Sequence, residues 1–327
     1  MKLRQLLLAG AVAVALAAPA ATPAKAQDDI TITLIPGLTT DDFYITMNRG
    51  AQAAAEALGI TVDFQGAEEF EPVLQVPVLD AVIGRGPDAI LIAPTDSTQL
   101  IEPLRRAHDA GIPVITVDTF IGEGQYQTGS GDADFPISYI ASDNIEGGRI
   151  AARAMAEAIG GEGKVYVSNV RPGISTTDQR EEGFKLEMEN HDGIEVLDTQ
   201  YNENDASLAA SQFQAVLARN PDLAGVFGAN LFSALGAANG VQAAGKSGEV
   251  AVIAFDAPQS IIDNIEDGLV DIAIAQHPAE IGYYGVVTAY AHVTGQSVPP
   301  HIGTGFTVID ADNLHDPDVQ RFIYSGE

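Results

Sequence analysis

Val114-Ile115-Thr116-Val117-Asp118 and Val252-Ile253-Ala254-Phe255-Asp256 decide how this chain folds. Each is an apolar, β-favouring run that stops on an aspartate, and the two lie 138 residues apart. A second pair keeps nearly the same offset. Residues 30–35 run into Pro36-Gly37, residues 165–170 run into Arg171-Pro172-Gly173, and 136 residues separate the Pro-Gly pairs. The repeat predicts two similar lobes, each ending a buried strand on a carboxylate at the mouth of its sheet. Open α/β sheets bind ligands at that end.

Outward from these strands, short β-branched runs alternate with longer alanine-rich amphipathic ones. Strands are predicted near 30–35, 61–65, 89–93, 114–118, 138–141, 165–170, 194–197, 224–227, 250–256 and 272–275. Helices are predicted near 43–58, 100–110, 147–159, 177–190, 207–219, 233–244, 258–266 and 280–293. Gly59, Gly111 and Gly245 stand where helices should stop. The alternation means α/β architecture: two Rossmann-like lobes, each a parallel sheet with helices on both faces. Residues 72–86 form a weaker helical pattern, because Pro77 inside it must start, kink or split a helix. The Gly-, Asp- and Gln-rich stretch 122–136 is expected to be a crossover between lobes. Gly295, Pro299, Pro300 and Gly303 mark a late crossover before a final strand near 305–309.

The first 26 residues read as a secretory signal. Lys2 and Arg4 precede an apolar, alanine-rich run at 6–21, and Ala24-Lys25-Ala26 is a small-x-small site, with cleavage expected after Ala26. The apolar run is short and alanine-rich for a membrane anchor. The chain has no cysteine, so disulfides, thiolate ligands and a cysteine nucleophile are excluded. Formal net charge is −29. Loss of Lys2, Arg4 and Lys25 leaves 13 basic against 45 acidic residues, a net of −32. Nucleic acid is excluded as a partner, because binding it needs a basic face; a polyanionic ligand is disfavoured for the same reason. The acidity reads as a solvated surface.

Several motifs tempt and fail. Gly240-Val241-Gln242-Ala243-Ala244-Gly245-Lys246-Ser247 has the P-loop letters. A P-loop runs from strand to helix, whereas this stretch runs from helix to strand and puts Lys246 at a helix C-terminus. His108, His191, His277, His292, His301 and His315 form no metal-binding spacing. No G-x-S-x-G elbow occurs, and the acidic residues show no glycosidase spacing. Asp310-Ala311-Asp312-Asn313 lacks the glycine and glutamate of a calcium loop. No metal, cofactor or enzymatic activity is expected.

What survives is a set at strand ends and helix starts: Asp41, Phe43, Tyr44, Asp118, Arg180, Asn230, Asp256 and Gln276. Planar side chains that bond twice at fixed geometry suit vicinal hydroxyls, and aromatic rings suit the apolar face of a polyhydroxylated carbon chain. Each residue also has a plainer reading. Phe43 and Tyr44 could be core, Asp118 and Asp256 turn caps, Arg180 a surface ion pair, and Asn230 a helix N-cap.

The chain resembles the periplasmic binding proteins of sugar ABC transporters, ribose-binding type. The likeness is carried by Asp42-Phe43-Tyr44 ahead of Arg49-Gly50-Ala51, by Pro94-Thr95-Asp96, and by Gly111-Ile112-Pro113 leading into the Asp118 strand. It continues through Ala141-Ser142-Asp143-Asn144 with Gly147-Gly148, Arg180-Glu181-Glu182-Gly183-Phe184, Asn230, Phe255-Asp256 and Ala275-Gln276-His277-Pro278. The resemblance implies two lobes joined by three crossovers near Ser142, Gln276 and Gly303. It implies an N-terminal lobe of 27–142 plus 277–304, and a C-terminal lobe of 143–276 plus 305–327. By the same resemblance Phe43 and Tyr44 stack on a ligand, while Asp118, Arg180, Asn230, Asp256 and Gln276 bond its hydroxyls.

Departures from that pattern bear on the ligand. Thr119 stands where ribose binders carry arginine, Ala93 replaces a pocket asparagine, and Asn204 replaces an aromatic. Arg171 takes an apolar position beside the site, and Leu231 replaces an acid. Thr119, Arg171 and Asn204 are therefore further candidates for ligand contact. The expected function is the substrate-binding component of an ABC transporter for a small neutral sugar or sugar alcohol. It closes on its ligand by a hinge, docks as a monomer on an inner-membrane permease, and works in the periplasm. The alternative is a periplasmic sensory receptor for a sugar-like signal.

Overall fold

Asp118 and Asp256 leave their strands in the left-handed backbone region, with φ of 62° and 79°. That region costs an ordinary L-residue roughly 1–2 kcal/mol, and aspartate and asparagine tolerate it best. The repeat in the sequence is thus also a repeat in backbone geometry. The computed structural model describes residues 30–326, so the expected signal and its cleavage after Ala26 lie outside the described residues.

In chain order the first elements are β1 (Thr31–Ile35), α1 (Asp42–Leu58), β2 (Thr61–Phe64), α2 (Pro72–Arg85), β3 (Ala89–Ile92), α3 (Ile101–Asp109), β4 (Val114–Val117) and β5 (Ser138–Ser142). Next come α4 (Asn144–Ala158), β6 (Gly163–Asn169), α5 (Ser175–Met188), β7 (Ile194–Val196), β8 (Gln200–Tyr201), α6 (Ala206–Arg219), β9 (Leu223–Gly228) and α7 (Leu231–Ala243). The last are β10 (Ala251–Phe255), α8 (Gln259–Glu266), β11 (Ile272–Gln276), α9 (Pro278–Val293), β12 (His301–Thr304), β13 (Phe306–Asp310) and α10 (Pro317–Gln320).

Two sheets result. The first has the order β12-β5-β4-β3-β1-β2, all parallel, and the second β13-β11-β10-β9-β6-β7, with β8 beside β6. Among the described residues the chain changes sheet at three places: Ser142 into α4, Gln276 into α9, and Gly305 between β12 and β13. The last passage makes β13 antiparallel to β11, pairing Phe306 with Gln276. One residue cannot hold a crossover helix, so β13 leaves the cleft along the line on which β11 arrives.

Three expectations need correction. Residues 122–136 are not a crossover, because β4 and β5 pair in one sheet. They form a loop closed on itself, with the Asp134 carboxylate accepting from Thr128 N and Gly129 N at 2.7 Å each. The Gly/Pro-rich late stretch holds a strand, β12, which the sequence pattern missed. Pro77 neither starts nor splits α2, which begins at Pro72. The hydrogen bond that Pro77 cannot make belongs to the turn of Val73, which is 74% exposed, where water reaches the spare carbonyl.

Strand β3 shows why its residues are all apolar. Ala89 and Leu91 enter the core on one face, and Ile90 and Ile92 enter the core on the other, as a doubly covered parallel strand requires. The glycines of the resemblance are packing residues. A Cβ on Gly148 would overlap the Arg180 carbonyl, and one on Gly183 would overlap that of Ile145. These close approaches seat the first turns of α5, with Arg180, against α4.

Candidate ligand-binding site

A cavity lies between the lobes at the strand ends, with about 470 Å³ of space between protein atoms, part of it open at the mouth. All eight principal candidates, Asp41, Phe43, Tyr44, Asp118, Arg180, Asn230, Asp256 and Gln276, line it, as does Asn204.

On the first lobe, the start of α1 enters the cavity. Asp41 is its N-cap, its Oδ1 accepting from Phe43 N at 2.9 Å. Phe43 and Tyr44 occupy the first turn and meet edge to face at 5.1 Å. They are core and cavity wall at once, so the plainer reading of them also holds. The Tyr44 hydroxyl donates to Asp118 Oδ2 at 2.7 Å, and the Asp118 carbonyl accepts from Tyr139 Oη at 2.9 Å.

On the second lobe, Arg180 is 3% exposed and is not a surface ion pair. Its Nε donates to Asn144 Oδ1 at 2.8 Å, its Nη1 donates to Ala229 O at 2.9 Å, and its guanidinium stacks 3.8 Å from the Phe255 ring centre. Asn230 caps α7 by accepting from Ser233 N at 3.1 Å, and its amide donates to Asn204 Oδ1 at 2.7 Å. Gln276 Nε2 donates to Asp256 Oδ1 at 2.8 Å. That bond fixes the Gln276 amide and leaves its buried Oε1 with no hydrogen-bond partner among the described residues.

Two further candidates lie elsewhere. Thr119 does not line the cavity. The turn at Asp118 holds Thr119 N to Val117 O at 2.7 Å, and its buried Oγ1 has no hydrogen-bond partner among the described residues. Arg171 sits at the rim and reaches across the lobes, donating to Phe70 O at 3.2 Å with Glu71 at 3.7 Å. Ser97 N to Gly173 O and Phe120 N to Ser175 Oγ, both 3.1 Å, join the lobes nearby.

Sequence reasoning missed Leu38, Phe70, Val170, Ile174, Thr176 and Thr177 among the lining residues. Phe70 lies in the acidic stretch 68–71 between β2 and α2, where local pattern marks only a loop. The signal that could have found it is Gly37. A Cβ there would overlap both the Phe70 ring and the Tyr44 hydroxyl.

Three carboxylates and one guanidinium therefore face one buried space. Burial pushes Asp41 up to about 7, with the nearby Asp256 charge adding to the rise. Burial also pushes Asp118 up to about 6, against the lowering effect of Arg180 and of the Tyr44 hydrogen bond. Because the folded value of Asp41 lies above its ordinary 3.8, its contribution to stability is fully present below 3.8 and is lost as pH rises through about 7. Asp41→Asn removes this loss. The sugar-free variant is expected to melt higher than the parent by about 4 °C at pH 7.5 and by clearly less at pH 5. Parallel melting curves across that range check it, and an equal difference at both pH values contradicts it.

The periplasmic binding protein domain model matches residues 32–297 of this chain. The chain belongs to that family. The ribose import binding protein of Escherichia coli K12 is 33% identical over 286 residues, spanning 88% of this chain and 92% of that protein. A solved ABC transporter solute-binding protein from Agrobacterium vitis, bound with α-D-tagatopyranose, is 71% identical. It covers 91% of this chain and 100% of its own, with a TM-score of 0.90. A carbohydrate transporter solute-binding protein from Agrobacterium radiobacter, in complex with D-arabinose, is 28% identical, covers 90% and 98%, and has a TM-score of 0.83. Family membership makes this a periplasmic binding protein and not an enzyme.

Proposed function

We propose that this chain captures a neutral ketohexose in its pyranose form, of the D-tagatose type, and presents it to the permease of an ABC transporter. At the coarser level it is the sugar-binding component of such a transporter. The observation that carries the ligand class is the 71% identity, over nearly the whole fold, to the protein bound with α-D-tagatopyranose.

The cavity chemistry agrees. Asp118 keeps Oδ1 and Asp256 keeps Oδ2 free of protein hydrogen bonds among the described residues. Those oxygens and Gln276 Oε1 are acceptors for sugar hydroxyls, while Arg180 and Asn230 face the same space. Phe43, Tyr44 and Phe70 supply apolar walls for C–H faces of a ring. A sugar alcohol is disfavoured, because an open chain must freeze several rotors that a ring has already fixed.

In this reading residues 27–142 with 277–304 and residues 143–276 with 305–327 swing about the three connections. Arg171 and its neighbours hold the closed form. The leader is removed after Ala26, and the mature chain acts as a monomer that avoids nucleic acid by its net negative charge. A thermal-shift series with D-tagatose, D-ribose, D-arabinose, D-allose, D-fucose and the corresponding alcohols tests the ligand class. D-Tagatose should give the largest rise in melting temperature. A larger rise with D-ribose or with any alcohol contradicts the proposal.

A further inference from the structure

The last turn of the chain enters the sugar site from behind. β13 and α10 belong to the second lobe, and Val319, Phe322 and Ile323 pack on its core. Tyr324 then crosses over. It is 1% exposed, and its ring joins the first-lobe core against Phe43, at 5.7 Å and 71°. Its N–H donates to Ala257 O at 2.9 Å, the residue after Asp256. Its hydroxyl accepts from Gln276 N at 2.7 Å and donates to Asp256 Oδ1 at 3.3 Å.

This mirrors the first lobe. There Tyr44 donates to one oxygen of Asp118, and here Tyr324 donates to one oxygen of Asp256. Phe43 touches both tyrosine rings edge on. Both aspartates have positive φ, so neither carboxylate is aimed by regular strand geometry. Tyr324 is not among the cavity-lining residues; whatever it does for the ligand passes through Asp256 and Gln276. Burial and the Asp256 charge hold its phenol well above its ordinary value, so the hydroxyl keeps its proton and donates.

We propose that Tyr324 is a positioning residue of the sugar site: its hydroxyl ties the end of the chain to Asp256 and to the Gln276 passage between lobes, setting both for the ligand. The proposal rests on the sugar-binding reading above. Without the hydroxyl, Gln276 N–H loses its acceptor and Asp256 Oδ1 keeps only the Gln276 amide.

The test is a double-mutant cycle read by calorimetric titration with D-tagatose, taken to millimolar sugar for the weak variants. Tyr324→Phe keeps the ring on Phe43 and should weaken binding roughly 10-fold. In an Asp256→Asn background the same change should cost no more than about twofold, because its route to the ligand is already altered. In an Asn230→Ala background it should keep its full effect. Melting curves without sugar report folding separately. A Tyr324→Phe protein that binds within about twofold of the parent overturns the proposal, as does an undiminished penalty beside Asp256→Asn. A lower melting temperature with unchanged affinity means a structural role only. Failure of the parent to bind D-tagatose or any other sugar overturns the functional reading itself.

Discussion

Replacing Asp256 by asparagine is expected to weaken sugar binding roughly 100-fold or more while leaving the protein folded. Asparagine tolerates the φ of 79° at this position, so the backbone is not further strained. What changes is the charge and one acceptor oxygen. Oδ1 of Asp256 accepts from both Gln276 and Tyr324, and among the described residues Oδ2 has only the Arg180 Nη1 at 4.0 Å. A hydrogen bond to a charged acceptor contributes about 1.5–3 kcal/mol, and the buried partners left mismatched add to the loss. Titration calorimetry reads the affinity, and sugar-free melting reads the fold. Affinity within about threefold of the parent contradicts this role.

Arg180→Met should be the more damaging change, because it removes the buried cation that faces the carboxylates. The 4.0 Å separation from Asp256 is too long for a hydrogen bond. Arg180 acts on Asp256 and Asp118 through its field, while Asn144, Ala229 and Phe255 hold it in place. Breaking a buried ion pair by deleting one partner costs about 3–5 kcal/mol. Sugar binding should be lost, and the sugar-free protein should melt about 6 °C lower at pH 8. Lower pH should soften the effect, since Asp41 and Asp118 already have raised values and shed charge on acidification. A melting temperature at pH 8 within about 1 °C of the parent contradicts the account of Arg180.

The lobes, the strand ends and the principal lining residues were legible because periodicity and strand-ending aspartates are local signals. Asp118 and Asp256 sit where buried strands must stop, Asn230 caps the start of α7, and Arg180 lies in the second turn of α5. Phe70 and Tyr324 were not legible. Each belongs to a short irregular stretch whose partners lie far along the chain: Arg171 for Phe70, and Asp256 for Tyr324. Composition misled at 122–136, where a loop-forming stretch marks irregular backbone but not which lobe it belongs to. At 301–304 a strand with two exposed residues carries too few apolar positions to announce itself. Arg171 is a ligand-contact candidate by sequence, but its contacts are across the rim with Phe70 and Glu71, which only the approach of two lobes creates.

One titration bears on the ligand most directly: residues 27–327 against D-tagatose at pH 7.5, with D-ribose in parallel. One site per chain is expected, with a dissociation constant at or below about 10 μM, and D-ribose weaker by at least tenfold. Tighter binding of D-ribose, or no heat with D-tagatose while another sugar saturates the site, contradicts the assignment.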